Sequence, residues 1–265
     1  MAELVTPDAP IPPWPRILPQ RWLNLSFLHW AVEPAGIAKL YPPGTEPDTF
    51  EGSSFVGVVP FQMSLFGTFL ETNVRLYSVD QTGRRGIVFL SLDADRLSMV
   101  AAARCVVGVP YRWARMTYRQ RGDRHRYTST LRSPTVTASS VVEVRAGDAM
   151  TSGPLEHFLT ARWGAHVGRF GRTWFVPNEH PAWVLRRAEL VDFADKGLLA
   201  SVGLGDLGTR PPDHLAFSNG VSARFGRPVR STTPRSGLTG PRARPVRTRR
   251  RVRRPASRPV RHPRR

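Results

Sequence analysis

The chain has 265 residues, 40% of them hydrophobic, enough to bury one full core without a second globular domain. Its formal charge of +19 is concentrated at the end: residues 227–265 carry 15 Arg and no Lys, Asp or Glu, and the other 226 residues hold 24 basic against 20 acidic side chains, a net of +4. The body is therefore nearly neutral, and the single Cys105 excludes an internal disulfide and a multi-cysteine zinc site.

The first ten residues have no basic end followed by an apolar run, and no segment reaches the roughly 18–20 unbroken apolar residues of a spanning helix. A cytoplasmic protein with no membrane partner is expected. Six prolines in residues 1–20 predict an extended leader, with the folded body starting near Arg21. Glu33 to Leu40 reads as a short helix stopped by Tyr-Pro-Pro-Gly. Short apolar or alternating runs then predict strands over Ser54 to Met63, Phe69 to Val79, Arg85 to Leu92, Tyr111 to Arg121, Arg124 to Leu131 and Thr135 to Arg145. Turns are expected at Asp80 to Gly83 and Arg121 to Arg124, and links this short make the sheet largely antiparallel.

Two longer helices interrupt the strands. Asp95 to Val107 has an Ala-rich centre, with Asp95 as N-cap and Gly108 beyond its end; Gly153 to Gly164 has Pro154 in its first turn. Strands resume over His166 to Val176, Trp183 to Phe193 and His214 to Phe225. These elements predict an α+β fold, a curved antiparallel sheet or partly closed β-barrel with a few packed helices, spanning residues 21–226. From Arg227 onward the Arg/Pro-rich sequence has almost nothing to bury and is expected to be disordered. Its arginines, Arg249, Arg250, Arg251, Arg253 and Arg254 among them, are candidates for nonspecific, salt-sensitive binding of nucleic acid or another polyanion; a solvated charge run with no function is the alternative.

Several segments occur in an order that resembles the YqjF-like family (domain of unknown function 2071). They are Asp48 to Met63, Phe69 to Tyr77, Gly86 to Asp93, Gly108 to Met116, Leu155 to Thr160, Glu179 to Trp183 and Phe217 to Val221. The family is distantly similar to acetoacetate decarboxylase, so the resemblance implies that enzyme's fold. It also implies that Gly108-Val-Pro-Tyr-Arg112 stands where the decarboxylase has Gly-x-Pro-Lys-Lys, the first lysine forming a Schiff base. Neither a phenol nor a guanidinium supplies a nucleophilic amine, so imine-based decarboxylation is not expected. Lys39 and Lys196, the only lysines, lie in turn-like sequence.

Glu71 resembles the decarboxylase's strand-borne pocket glutamate. Strand parity puts Asn73 and Arg75 on its face, and puts Arg115 with Tyr111 on one face of the Tyr111 to Arg121 strand. These five are the candidate pocket residues. An Arg is expected to clamp a carboxylate and Tyr111 to donate a hydrogen bond; a solvated strand face or a structural ion pair are the alternatives. The expected function is binding of a small anionic or carbonyl-bearing molecule without a cofactor. A lysine-independent enzyme, with Glu71 as base and Tyr111 as acid, is the rival. Scattered histidines give no metal-ligand spacing. Gly203, Gly205 and Gly208 match a dinucleotide fingerprint by pattern only, with no parallel βαβ unit before them.

Overall fold

The computed structural model describes residues 2–10, 15–106 and 108–231. In chain order these form strand β1 (Ile17–Val32), the short helix α1 (Pro34–Ile37), then β2 (Thr45–Pro47), β3 (Ser54–Ser64), β4 (Thr68–Asp80) and β5 (Arg85–Ala94). Helix α2 (Leu97–Val106) leads to β6 (Tyr111–Arg121), β7 (Arg124–Leu131) and β8 (Ser139–Ala149). Helix α3 (Pro154–Thr160) precedes β9 (Gly164–Arg169), β10 (Arg172–Glu179), β11 (Arg186–Lys196), β12 (His214–Phe225) and β13 (Val229–Arg230). No helix among the described residues is long and apolar enough to cross a membrane.

The strands hydrogen-bond in the order β5-β6-β7-β8-β11-β12-β1-β3-β4, and β4 pairs again with β5 from Glu71↔Ala94 to Val79↔Arg85, which closes the sheet into a ring. A second circuit leaves β5 through β9 and β10 and returns to β12 at Asn178↔Phe225. Strands β12, β1, β3, β4 and β5 belong to both circuits; β3 and β4 are buried on both faces, and β3 reads as a nearly continuous apolar run. On one face Leu28, Trp30, Val56, Val58, Val74 and Leu76 pack against Val142 and Val144 of β8. On the other, Phe27, Val59 and Phe61 meet Ala94, Val100 and Leu185, while Phe55 and Tyr77 meet Phe158 and Leu159 of α3. Where β12 crosses β1, Gly220 has φ +127° and its Cα faces the Trp22 carbonyl so closely that a Cβ would collide with backbone.

Several expectations need correction. The sheet is largely antiparallel as expected, with a parallel exception where α2 carries the chain back in the same direction, so that β5 and β6 pair in parallel at Leu92↔Tyr111 and Ala94↔Trp113. Asp95 does not cap α2, because its carboxylate accepts the Leu70 amide at 2.9 Å and pins the start of β4 instead. His166 to Val176 is a hairpin, turning at Phe170 (φ 51°) and Gly171 (φ 68°). The predicted strand from Thr135 starts at Ser139, since the Thr135 and Val136 amides turn back to Ser133 Oγ.

Both boundaries of the body also move outward. Strand β1 begins at Ile17, and the leader is tied down by the Glu3 amide on the Gly83 carbonyl and by Trp163 Nε1 on the Thr6 carbonyl. At the other end β13 pairs with β10 at Trp174↔Arg230, past residue 226. The arginine-rich candidates Arg249, Arg250, Arg251, Arg253 and Arg254 lie outside the described residues.

Candidate functional site

Strand β4 supplies the site because its odd-numbered side chains line one buried face. Glu71 is only 1% exposed, between Phe61 of β3 and Ala94 of β5. The parallel pairing of β6 brings Tyr111 alongside, and its hydroxyl donates to Glu71 Oε2 at 2.6 Å. Burial pushes the Glu71 carboxyl up to about 7, against the pull of hydrogen bonds from Tyr111 and Asn73 and with a small push from the Asp93 charge. Burial, and then the charge of Glu71, raise the Tyr111 phenol well above its ordinary value. The pair is therefore a carboxyl that titrates near neutrality, held by a phenol that stays protonated.

Asn73 is buried beside it, and its Oδ1 has no hydrogen-bond partner. Arg75 follows on the same face but turns away from Glu71. Its Nε donates to the Tyr77 hydroxyl at 3.2 Å and its Nη2 to the Leu159 carbonyl at 3.3 Å, and its guanidinium lies over the Phe27 and Tyr77 rings. Gly57 makes this possible, since a Cβ there would sit 3.1 Å from Arg75 Cγ and 3.2 Å from the His29 ring. Among the described residues no carboxylate forms an ion pair with Arg75, so a part-buried cation is held by neutral oxygens alone. The alternative reading of a structural Glu71–Arg75 ion pair is not what the geometry shows, since no such pair forms.

Arg115 does not join the site. β5 ends at Ala94, so it covers β6 only through Trp113, and Arg115, two residues further on, is exposed. Arg112 points to the opposite face, where it grips buried Asp93 through two hydrogen bonds of 2.5 and 3.0 Å and donates to Ser201 Oγ. Lys39 and Lys196 are both exposed. The residues that sequence reasoning missed are Tyr77, His29, His214 and His180. Tyr77 and His29 are wholly buried beside Arg75, and His180 is held down to about 4 mainly by its burial among Trp22, Trp163 and Trp183. The odd parity of Tyr77 with Arg75 was a usable signal; the histidines come from distant strands and carried none.

Two surface concavities, of about 150 and 280 Å³, lie elsewhere: one between Pro43, Asp80 and Arg172, the other between Tyr41, Phe89, Pro110 and His166. Among the described residues no group of three His, Cys, Asp or Glu side chains is placed to hold a metal ion.

The fold and sequence have clear relatives. The "Uncharacterized protein YqjF" of Bacillus subtilis (strain 168) is 28% identical over 186 residues, spanning 65% of this chain and 76% of that protein. The fold is similar to that of an acetoacetate decarboxylase-like enzyme from Sphingomonas wittichii RW1, with TM-score 0.55 and 12% identity over 87% of this chain and 98% of that one. It is also similar to acetoacetate decarboxylase from Legionella pneumophila, with TM-score 0.54 and 12% identity over 84% and 92%. The enduracididine biosynthesis enzyme MppR, solved in complex with pyruvate, gives TM-score 0.54 and 14% identity over 84% and 93%. Residues 19–222 match the model of DUF2071, described as an uncharacterized conserved protein, and the chain belongs to that family.

Proposed function

We propose that this protein binds a small carboxylate bearing a carbonyl group on the odd face of β4, without forming an imine. The observation that carries this reading is the unneutralised Arg75 guanidinium, which shares a buried face with the Glu71–Tyr111 pair. A cation held by neutral oxygens in the interior is stabilised by an incoming anion, and a charge-assisted hydrogen bond to it is stronger than a neutral one. Asn73 Oδ1, buried and unpartnered, offers an acceptor to a ligand hydroxyl. MppR, a fold neighbour, has been solved with pyruvate and with a pyruvate condensation product, which suggests pyruvate as the first probe.

Titration of the full chain with methyl-labelled pyruvate, followed by NMR, tests the reading. Saturable binding is expected, weakened at least about tenfold in Arg75→Leu by loss of a charge-assisted bond. Borohydride is expected to trap no adduct, because Tyr111 offers no amine and both lysines lie on the surface. Equal affinity in Arg75→Leu, or a reducible adduct at Lys39 or Lys196, would sink the proposal.

The 2.6 Å Tyr111–Glu71 bond and a carboxyl titrating near 7 favour a second, catalytic reading in which Glu71 removes a proton next to the carbonyl and Tyr111 supports the developing enolate. Exchange of pyruvate methyl protons in D2O, lost in Glu71→Gln, is its signature.

A further inference from the structure

Past Trp113, strand β6 is an edge of the sheet. β5 pairs with it only from Leu92↔Tyr111 to Ala94↔Trp113, and among the described residues β7 is the only strand that pairs with the remainder, as far as Arg121↔Arg124. Two bonds fix the direction of its backbone groups. The Trp113 carbonyl accepts the Arg132 amide at 2.8 Å, so the odd-numbered residues turn their polar groups toward β7. The Pro110 carbonyl accepts the Leu92 amide at 3.1 Å, so the even-numbered residues turn theirs the other way. Tyr118 is half-buried and Gln120 is exposed, and the N–H and C=O groups of both therefore point out from the open edge.

The side chains along this edge carry charge of one sign. Arg115, Arg119 and Arg121 share the exposed odd face, and none has an ion-pair or side-chain hydrogen-bond partner among the described residues. Across the ladder Arg119 lies opposite Arg126, Arg121 opposite Arg124, and Arg124 opposite Arg145 of β8. Like charges directly opposite one another weaken a sheet. Arg126 and Arg145 are relieved from the far side by Glu143, Asp192 and Glu189, which leaves the unrelieved charge on β6. A second copy of the same edge would set arginine against arginine, and the chain's own residues 227–265, with 15 Arg and no acidic residue, have the wrong sign.

We propose that the outer edge of β6, from Arg115 to Arg121, takes up an extended acidic segment of another protein as an added antiparallel strand. Tyr118 and Gln120 supply two N–H and two C=O groups to its backbone. Toward such a strand the odd positions of β6 are the non-hydrogen-bonded ones, where facing side chains come closest, so Asp or Glu at alternate residues of the partner meets Arg115, Arg119 and Arg121. The residues between them fall on the opposite face beside the half-buried Tyr118 ring, which packs on Tyr127 with 4.7 Å between centres, and apolar side chains suit those places. The partner is therefore a segment in which acidic and apolar residues alternate. A nucleic-acid backbone would answer the arginines but carries no ladder of donors and acceptors to match the open edge. This surface is independent of the ligand reading of the Glu71 face.

The test uses the full chain and a fluorescent peptide of about eight residues, within the length of an ordinary strand, alternating Glu with Val. Anisotropy is expected to show saturable binding, weakened at least about tenfold when Arg119→Glu and Arg121→Glu turn two attractive cross-strand pairs into repulsive ones. The same peptide N-methylated at its Val residues keeps every charge but loses the donors that face the edge, and is expected to bind at least about tenfold more weakly. Hydrogen exchange followed by NMR reads the edge directly. The Tyr118 and Gln120 amides are expected to exchange fast in the free protein, beside slow Thr117 and Arg119 amides bonded to β7, and to slow at least about tenfold with saturating peptide. No saturable binding, or equal binding of the N-methylated peptide, would overturn the proposal. So would affinity unchanged in the double variant, which would pass the binding to the arginine-rich end, or slow Tyr118 and Gln120 exchange before peptide is added. A DNA oligonucleotide bound more tightly than the peptide, with that affinity lost in the double variant, would assign the face to nucleic acid instead.

Discussion

Replacing Asp48 with Asn is expected to lower the unfolding free energy by about 3–5 kcal/mol in urea titrations, because it strands a cation in the interior. Asp48 lies just after β2, its amide bonded to the Tyr77 carbonyl, and its carboxylate takes two arginines: Arg162 at 2.5 Å and Arg85 at 2.6 Å. Arg162 is buried, with its Nε on the Phe158 carbonyl and its guanidinium 4.2 Å from the centre of the Phe158 ring and 4.9 Å from that of Tyr77. Its Nη2 already lacks a partner. Without the Asp48 charge it has no counter-ion and no route to water. Arg85 is 21% exposed and can rehydrate, so Arg85→Gln is expected to cost only about 1 kcal/mol. Equal losses in the two variants would show that Arg162 draws its stabilisation from the rings and not from Asp48.

The second large effect is a pH dependence with a definite sign. The Glu71 carboxyl is raised from its ordinary 4.5 to about 7, so the folded chain holds that proton more tightly than the unfolded chain. The stabilisation is full below about pH 4.5, falls as pH rises toward 7, and is absent above; the two and a half units correspond to about 3 kcal/mol. His180 acts in the opposite sense, since its ring is held down to about 4 and the folded state loses stability as pH falls from 6.5. The wild-type curve alone therefore blends opposing contributions, those of the burial-lowered His29, His125 and His214 among them. The difference between wild type and Glu71→Gln isolates Glu71. Wild type should lose about 3 kcal/mol relative to the variant between pH 4.5 and 7, with a flat difference at higher pH. A difference independent of pH would mean that water reaches the carboxyl.

Legibility in the sequence followed the range of the forces involved. β6, β7 and β12 begin and end where alternation and turn residues place them, because those signals are local. The hairpin between β9 and β10 was hidden because its turn puts a phenylalanine, not a usual turn residue, at positive φ. The Tyr111–Glu71 contact was accessible through parity joined to the family resemblance. Arg115 failed on the same parity: alternation gives the face of a strand but not where its neighbour stops, and β5 stops at Ala94. The proximity of His29 to His214 spans 185 residues and follows only from the pairing of β1 with β12.

Because β4 is a partition with an apolar compartment on one side and the Glu71 face on the other, its length is as constrained as its chemistry. One residue inserted or deleted between Thr68 and Asp80 would turn every later side chain through the wall, sending Arg75 and Tyr77 into the space of Leu76 while Val74 and Leu76 met Phe158. The tip joining β6 to β7, Arg121 to Arg124, is exposed at all four residues and carries no such double duty. Changes in chain length should therefore accumulate at that tip, whereas β4 can diversify only by exchanging side chains at fixed positions.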